Sequence, residues 1–187
     1  MKQKLILTAG LLVSLFTQNS LFAQDMKSEG FNNVKGMNIL NAGIGLGSYG
    51  LSGTGDLPLV ASFEHGFSKN ISAGVMLGFI QKKYASDWKY TYTMIGARGS
   101  YHLNEAFKVA NPKLDVYAGA GLFYRRFSLK YKNGVEAEDD FNLNASGGDI
   151  QFQLHAGGRY MFNNNIGAFA ELSYGISPLQ LGVAVKF

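Results

Sequence analysis

The chain has 187 residues, room for one domain, and no cysteine, so a disulfide framework or a thiol-based metal or redox site is excluded. Basic residues number 17 and acidic residues 13, a balance too weak and too scattered to mark a nucleic-acid binder. The 24 glycines, with 10 tyrosines and 14 phenylalanines, favour β-structure with closely approaching backbones.

The start reads Met1-Lys2-Gln3-Lys4, then an apolar run from Leu5 to Phe16, polar residues 17–20, and Leu21-Phe22-Ala23. A basic start, a short apolar core and a small residue at the end make a secretory signal peptide over 1–23, cut after Ala23. The run is too short for a spanning helix. Losing Lys2 and Lys4 with this leader leaves 15 basic against 13 acidic residues, a net charge of +2. Residues 24–35 are polar and patternless and are expected to form a short periplasmic tail.

From 36 onward, apolar and small or polar residues alternate, and side chains of a strand alternate faces. The first strand covers about 37–47, with Leu40, Ala42, Ile44 and Leu46 against Asn41, Gly43 and Gly45. Glycine-rich 48–56 is a loop. The second strand, about 57–67, sets Leu57, Leu59, Ala61, Phe63 and Phe67 against Val60, Ser62 and Glu64. After a turn at 68–70, the third strand, about 71–83, sets Ile71, Val75, Leu77 and Phe79 against Ser72, Gly74, Met76 and Gly78. The fourth, about 88–103, sets Ile95, Ala97 and Tyr101 against Met94, Arg98, Ser100 and His102.

A longer turn at 104–112 leads to the fifth strand, about 113–127, where Leu114, Val116, Leu122 and Tyr124 oppose Asp115, Tyr117, Phe123 and Arg125. Residues 128–148 form the longest connection and hold the acidic run from Glu136 to Asp140. The sixth strand, about 149–162, sets Ile150, Phe152, Leu154, Tyr160 and Phe162 against Gln153, His155 and Arg159. After Asn163-Asn164-Asn165 comes the seventh, about 166–176, with Leu172, Tyr174 and Ile176 on one face and Phe169, Glu171 and Ser173 on the other. The eighth places Leu179, Leu181, Val183, Val185 and Phe187 on one face and Gln180, Gly182, Ala184 and Lys186 on the other. Nine residues suit a tilted strand crossing a bilayer.

Short turns after the second and sixth strands, with long loops after the first and fifth, suit a barrel that starts at the periplasm. The expected fold is all-β: an eight-stranded antiparallel up-and-down transmembrane β-barrel over 36–187. Two features put the apolar face outside. Phe67, Tyr101, Tyr160, Phe162 and Phe187 fall at one end of that face, and Phe79, Tyr124 and Tyr174 at the other, as two aromatic girdles. The opposite face is rich in glycine and in opposite charges, unlike a soluble surface. A one-residue slip would put Arg98 and Arg159 into lipid, at about 2–4 kcal/mol each.

The eight-strand pattern and the ending Leu181-Gly-Val-Ala-Val-Lys-Phe187 resemble the small outer-membrane β-barrel family of Gram-negative bacteria, of OmpX and OmpA-barrel type. The resemblance implies export to the outer membrane and contact with its lipid and lipopolysaccharide. It also implies that Leu179, Leu181, Val183, Val185 and Phe187 form the signal read by the barrel-assembly machinery.

Candidate chemistry lies inside. Glu64, Arg98, Asp115, Arg125, Arg159, Glu171 and Lys186 are expected to form an interior polar network. Arg159 is expected near Glu171, Glu171 near Lys186, and Arg98 with Asp115 across the 104–112 turn. Eight strands leave an interior just wide enough for side chains, and buried charges must pair, so a filled lumen outweighs a narrow porin-like channel. Ser100 and His102 share the inner face, which admits a lipid-modifying hydrolase, but a third orienting group is not evident. His155 joins the interior and His65 sits at the rim. Asp140-Phe141-Asn142-Leu143-Asn144 has the alternate-oxygen look of a calcium loop, but Gln151 stands where a bidentate glutamate is needed. The reading is non-enzymatic, without metal or cofactor: a structural or surface-interaction protein of the envelope, with loop 128–148 offered to an unidentified surface partner.

Overall fold

The computed structural model describes residues 30–49, 54–84, 88–131 and 145–187. The expected signal peptide, residues 24–29 of the tail, the acidic run and the calcium-like stretch lie outside them.

Eight strands form the wall: β1 Asn38–Leu46, β2 Leu59–Gly66, β3 Ile71–Tyr84, β4 Trp88–His102, β5 Leu114–Tyr131, β6 Ala145–Met161, β7 Ile166–Tyr174 and β8 Leu179–Lys186. Each pairs antiparallel with its sequence neighbours. The first and last strands pair from Ile39↔Lys186 to Leu46↔Leu179, which closes the barrel and leaves no free edge. The architecture is the eight-stranded up-and-down barrel that the alternation predicts.

Two hairpins outgrow the wall. β1, β2, β7 and β8 have 8 or 9 residues, about what a span needs. β3 and β4 have 14 and 15, and β5 and β6 have 18 and 17. The expected 128–148 loop is therefore partly strand, since pairing runs on through Ser128↔Ser146 and Leu129↔Ala145. Continued pairing satisfies backbone groups that a loop would leave to water. Inside the expected 48–56 loop, Thr54–Gly55 adds a short rung to β3 at Lys82 and Lys83.

The turns at the other end are fixed by side chains. Asn163 Oδ1 accepts from the backbone nitrogens of Asn165 and Ile166, at 2.9 and 2.8 Å. Asn104 donates to Leu114 O at 2.6 Å and accepts from Val116 N at 2.7 Å, tying down both ends of the 104–113 connection.

Burial is inverted relative to a soluble barrel. Ile95, Leu122, Ile150, Leu172 and Val183 are exposed on the outside, while Asp115, Arg159, Glu171 and Gln153 are 0–1% exposed inside. Phe67, Tyr101, Tyr160 and Phe162 ring the exposed face at the end of the short turns, and Phe79, Tyr124 and Tyr174 ring the other. Ile176 departs from the expectation: it is buried, not outward. Gly175, at φ 147°, breaks the alternation just before it and swings Ile176 into the lumen.

Residues 30–35 also depart from the expectation of a tail. Gly30–Asn32 forms one 3-10 turn, and Phe31 and Val34 are fully buried in the barrel's lower end. Val34 N donates to Lys69 O at 2.9 Å and Gly36 N to Gly66 O at 2.8 Å. Lys186 Nζ lies 5.2 Å from the Phe31 ring centre. The closeness is extreme at two glycines. A Cβ on Gly66 would stand 1.8 Å from Val34 O, and one on Gly30 would stand 2.5 Å from Pro112 O. Two apolar side chains in a polar stretch are too few for a periodicity, yet they suffice to cap a lumen this narrow.

Candidate functional site: the sealed charged lumen

The inward positions of β2 to β7 bring five charged groups together in the lumen. Arg98, on β4, gives two hydrogen bonds to Glu171 on β7, at 3.2 and 2.7 Å. Its Nε also stands 3.1 Å from Glu64 Oε1 without hydrogen-bond alignment, so that contact is coulombic. Arg159, on β6, meets Asp115 at 2.5 Å, Asn41 at 3.0 Å and Glu64 at 3.4 Å. Its guanidinium lies 3.7 Å from the Tyr117 ring centre, close enough for a cation–π contact. Tyr117 donates its hydroxyl to Glu171 Oε2 at 3.0 Å, which joins the two arginine centres. Charges taken out of water at this depth need such dense pairing, since desolvation costs several kcal/mol per ion.

A second chain of contacts runs along one side. Glu64 accepts from Ser72 at 2.7 Å; Ser72 Oγ lies 3.0 Å from His102 Nε2; His102 Nδ1 lies 2.8 Å from Asp115 Oδ1. Ser72 has one proton for two neighbours, Glu64 and His102. Ser-His-Asp is the order of a hydrolase relay. All three side chains are buried, however, and the serine is also bonded to a carboxylate, so no acyl carbonyl can approach. Ser100 pairs with His155 instead, at 2.9 Å, and not with His102. Among the described residues, no group of His, Asp and Glu has the geometry to hold a metal ion.

The structure brings together Glu64, Arg98, Asp115, Arg159 and Glu171, but with other partners than the sequence suggested. Arg159 faces Phe169 in the ladder while Glu171 faces Gly157, so Arg159 turns to Asp115 and Glu64 and leaves Glu171 to Arg98. Asp115 is a direct neighbour of Arg159, not of Arg98. Lys186 sits half-buried at the capped end over Phe31, away from Glu171. Arg125 lies at the outer mouth, paired with Asp149 at 3.1 Å, where Gln151 also donates to Asp149. Asn41, Ser72, His102 and Tyr117 complete the network, and their inward parity was the signal for them.

Apolar layers close both ends. Phe31, Val34, Ile39 and Met161 seal the lower one. At the outer end Ile80, Met94, Phe123 and Ile176 are buried, and a Cβ on Gly78 would stand 2.5 Å from Ile176 Cδ1. Between them, a cavity of about 10 Å³ lies beside Gln180, Arg98 and Glu171. That is the room of about one water, which suits the otherwise unpaired Gln180 Nε2.

No protein-family model matches the chain, and no curated protein matches it. Solved structures do. The N-terminal β-barrel domain of Pseudomonas aeruginosa OprF aligns with TM-score 0.53 and 15% identity, over 82% of this chain and 98% of that one. The chain has the fold of the small outer-membrane β-barrels. The outer membrane protein OprG from Pseudomonas aeruginosa gives TM-score 0.53 and 12% identity, over 85% and 99% of the two chains. Neisserial surface protein A gives TM-score 0.50 and 18% identity, over 81% and 94%. At these identities the likeness to the outer-membrane barrels is one of fold.

Proposed function

We propose that the protein is an integral barrel of a Gram-negative outer membrane, with a plugged interior and a structural or surface-presenting role. The observation that carries this reading is the inverted burial: an exposed aliphatic belt between two aromatic rings, around a lumen of paired ions. Hydrocarbon is the medium in which that outer face is stable and that inner face must be sealed. Lipopolysaccharide and phospholipid are then its lateral neighbours. The outward residues Leu179, Leu181, Val183, Val185 and Phe187 are the segment we assign to the barrel-assembly machinery. Membrane fractionation with heat-modifiable gel migration tests the reading. Recovery in the soluble fraction would overturn it.

The apolar layers and the density of pairing favour a wall over a channel. The burial of Ser72, His102 and Asp115 favours a non-catalytic role over a lipid-modifying one. Beyond the span, the β5–β6 hairpin carries the 128–148 connection, which would offer a surface to a partner. Deleting 132–144 is expected to leave the barrel folded and to abolish any adhesion it mediates. Collapse of folding would show that the connection is structural.

A further inference from the structure

Above the outer aromatic ring, the outward face of β3, β4 and β5 turns basic. Lys83 stands directly opposite Lys89 in the ladder, and Lys89 opposite Lys130. Like charges directly opposite destabilise a sheet. Below them Arg126 faces Thr93, and Gln81 donates to Thr91 at 3.2 Å on the same face. Among the described residues, Lys83, Lys89 and Arg126 have no ion-pair partner. Asp149, the carboxylate of the neighbouring hairpin, points to the other face and is held by Arg125. Asp56 donates its backbone N–H to Gln81 O at 3.2 Å, and its carboxylate forms no ion pair with these cations.

Three cations share one outward face, two of them opposed, and no carboxylate of the described wall pairs with them, so a bound anion would relieve their repulsion. Their height says which kind. Arg126 is two residues beyond Tyr124 and Lys83 four beyond Phe79, about 7 and 13 Å along the strands. With a strand tilt of about 40°, that is the zone just above an aromatic girdle, where lipid headgroups sit. We propose that the face formed by Lys83, Lys89 and Arg126 is a docking site for the phosphate groups of an outer-leaflet glycolipid. The proposal rests on the outer-membrane reading and adds to it a specific lipid contact on one side of the barrel. Bound phosphate turns the opposed lysines from a repulsive pair into a clamp.

The test compares the wild type with Lys83→Gln/Lys89→Gln/Arg126→Gln, both as full-length protein folded in detergent. Lipid A, with and without its phosphates, is added and retention is read by native mass spectrometry. Heat-modifiable migration of both proteins establishes that they fold, so failure of the barrel reading is seen separately. Phosphorylated lipid A is expected to be retained by the wild type and lost from the variant by roughly 100-fold, the scale of three surface cations. Dephosphorylated lipid should distinguish the two proteins little. Equal retention of phosphorylated lipid by both would overturn the proposal. Displacement of the lipid by inositol hexakisphosphate at equal concentration would overturn it too, because the site would then serve a soluble polyanion.

Thermal unfolding without lipid closes the remaining route. Removing opposed like charges should leave the unfolding temperature unchanged or raise it. A fall in the variant would mean that the chain's own carboxylates already hold these cations, and would overturn the proposal.

Discussion

Glu171 holds Arg98 with both carboxylate oxygens while one of them also accepts the hydroxyl of Tyr117. Tyr117 in turn lies under Arg159, so one carboxylate anchors both cationic centres of the lumen. Glu171→Ala should therefore leave a buried guanidinium short of a partner and cost about 3–5 kcal/mol. Heat-unfolding in detergent measures it. An Arg98→Met/Glu171→Leu pair should lose less than Glu171→Ala alone, because it removes both charges. Unchanged unfolding in Glu171→Ala would contradict the network.

The lower seal can be probed at Phe31. Phe31→Ala should cost about 3–5 kcal/mol, the usual loss for a fully buried phenylalanine. An effect near zero would show that residues 30–35 do not cap the lumen in solution. Planar-bilayer recordings of the wild type should show no stable single-channel steps. Steady steps would refute a closed lumen.

Ser72→Ala should lower stability modestly and leave lipopolysaccharide acyl chains as they are. Its hydroxyl touches Glu64 and His102, and nothing from outside reaches it. The same holds for Ser100→Ala, whose partner is His155. A change in acyl composition with either variant would reveal a catalytic role.

Orientation is open to cysteine labelling. Val183→Cys sits on the exposed face and Ser173→Cys, nearly isosteric, on the buried one. In intact membranes a water-borne reagent should modify neither, and a lipid-soluble maleimide only the first. Free reaction of Val183→Cys with the aqueous reagent would turn the wall inside out. Gly182 is unsuitable for the inner probe, since a Cβ there would stand 2.2 Å from Ala42 O.

Acid should loosen one turn before the barrel. Lys69 donates to Glu105 at 2.8 Å and Asn70 at 3.1 Å, and these hydrogen bonds, the lysine first, hold the Glu105 carboxyl below its ordinary 4.5. A depressed carboxylate stabilises the fold above its ordinary value, and the contribution fades as pH falls through the lowered one. Protection of the 104–113 amides, relative to their intrinsic exchange rates at each pH, should fall across that window in the wild type and not in Glu105→Gln. Identical profiles would remove the interaction.

The wall was legible in the sequence because alternation and chain order suffice for an up-and-down barrel. The outward girdle residues and the inward Glu64, Arg98, Asp115, Arg159 and Glu171 follow from parity alone. Their partners do not. Arg159 reaches Glu64 from the opposite side of the lumen, a contact set by strand stagger around a closed barrel. No local pattern encodes it, so sequence neighbours such as Glu171 and Lys186 looked nearer than they are. Phe31 and Val34 escaped notice for a different reason: a plug needs only one or two side chains and has no period. Ile176 escaped because Gly175 resets the count.

Greasy stoppers at both ends should leave the ionic interior electrically silent. Each copy adds circumference to the envelope without adding a leak, so the number of copies is not constrained by permeability. On the structural role proposed above, abundance, rather than turnover or flux, would be the quantity through which such a protein acts on a cell.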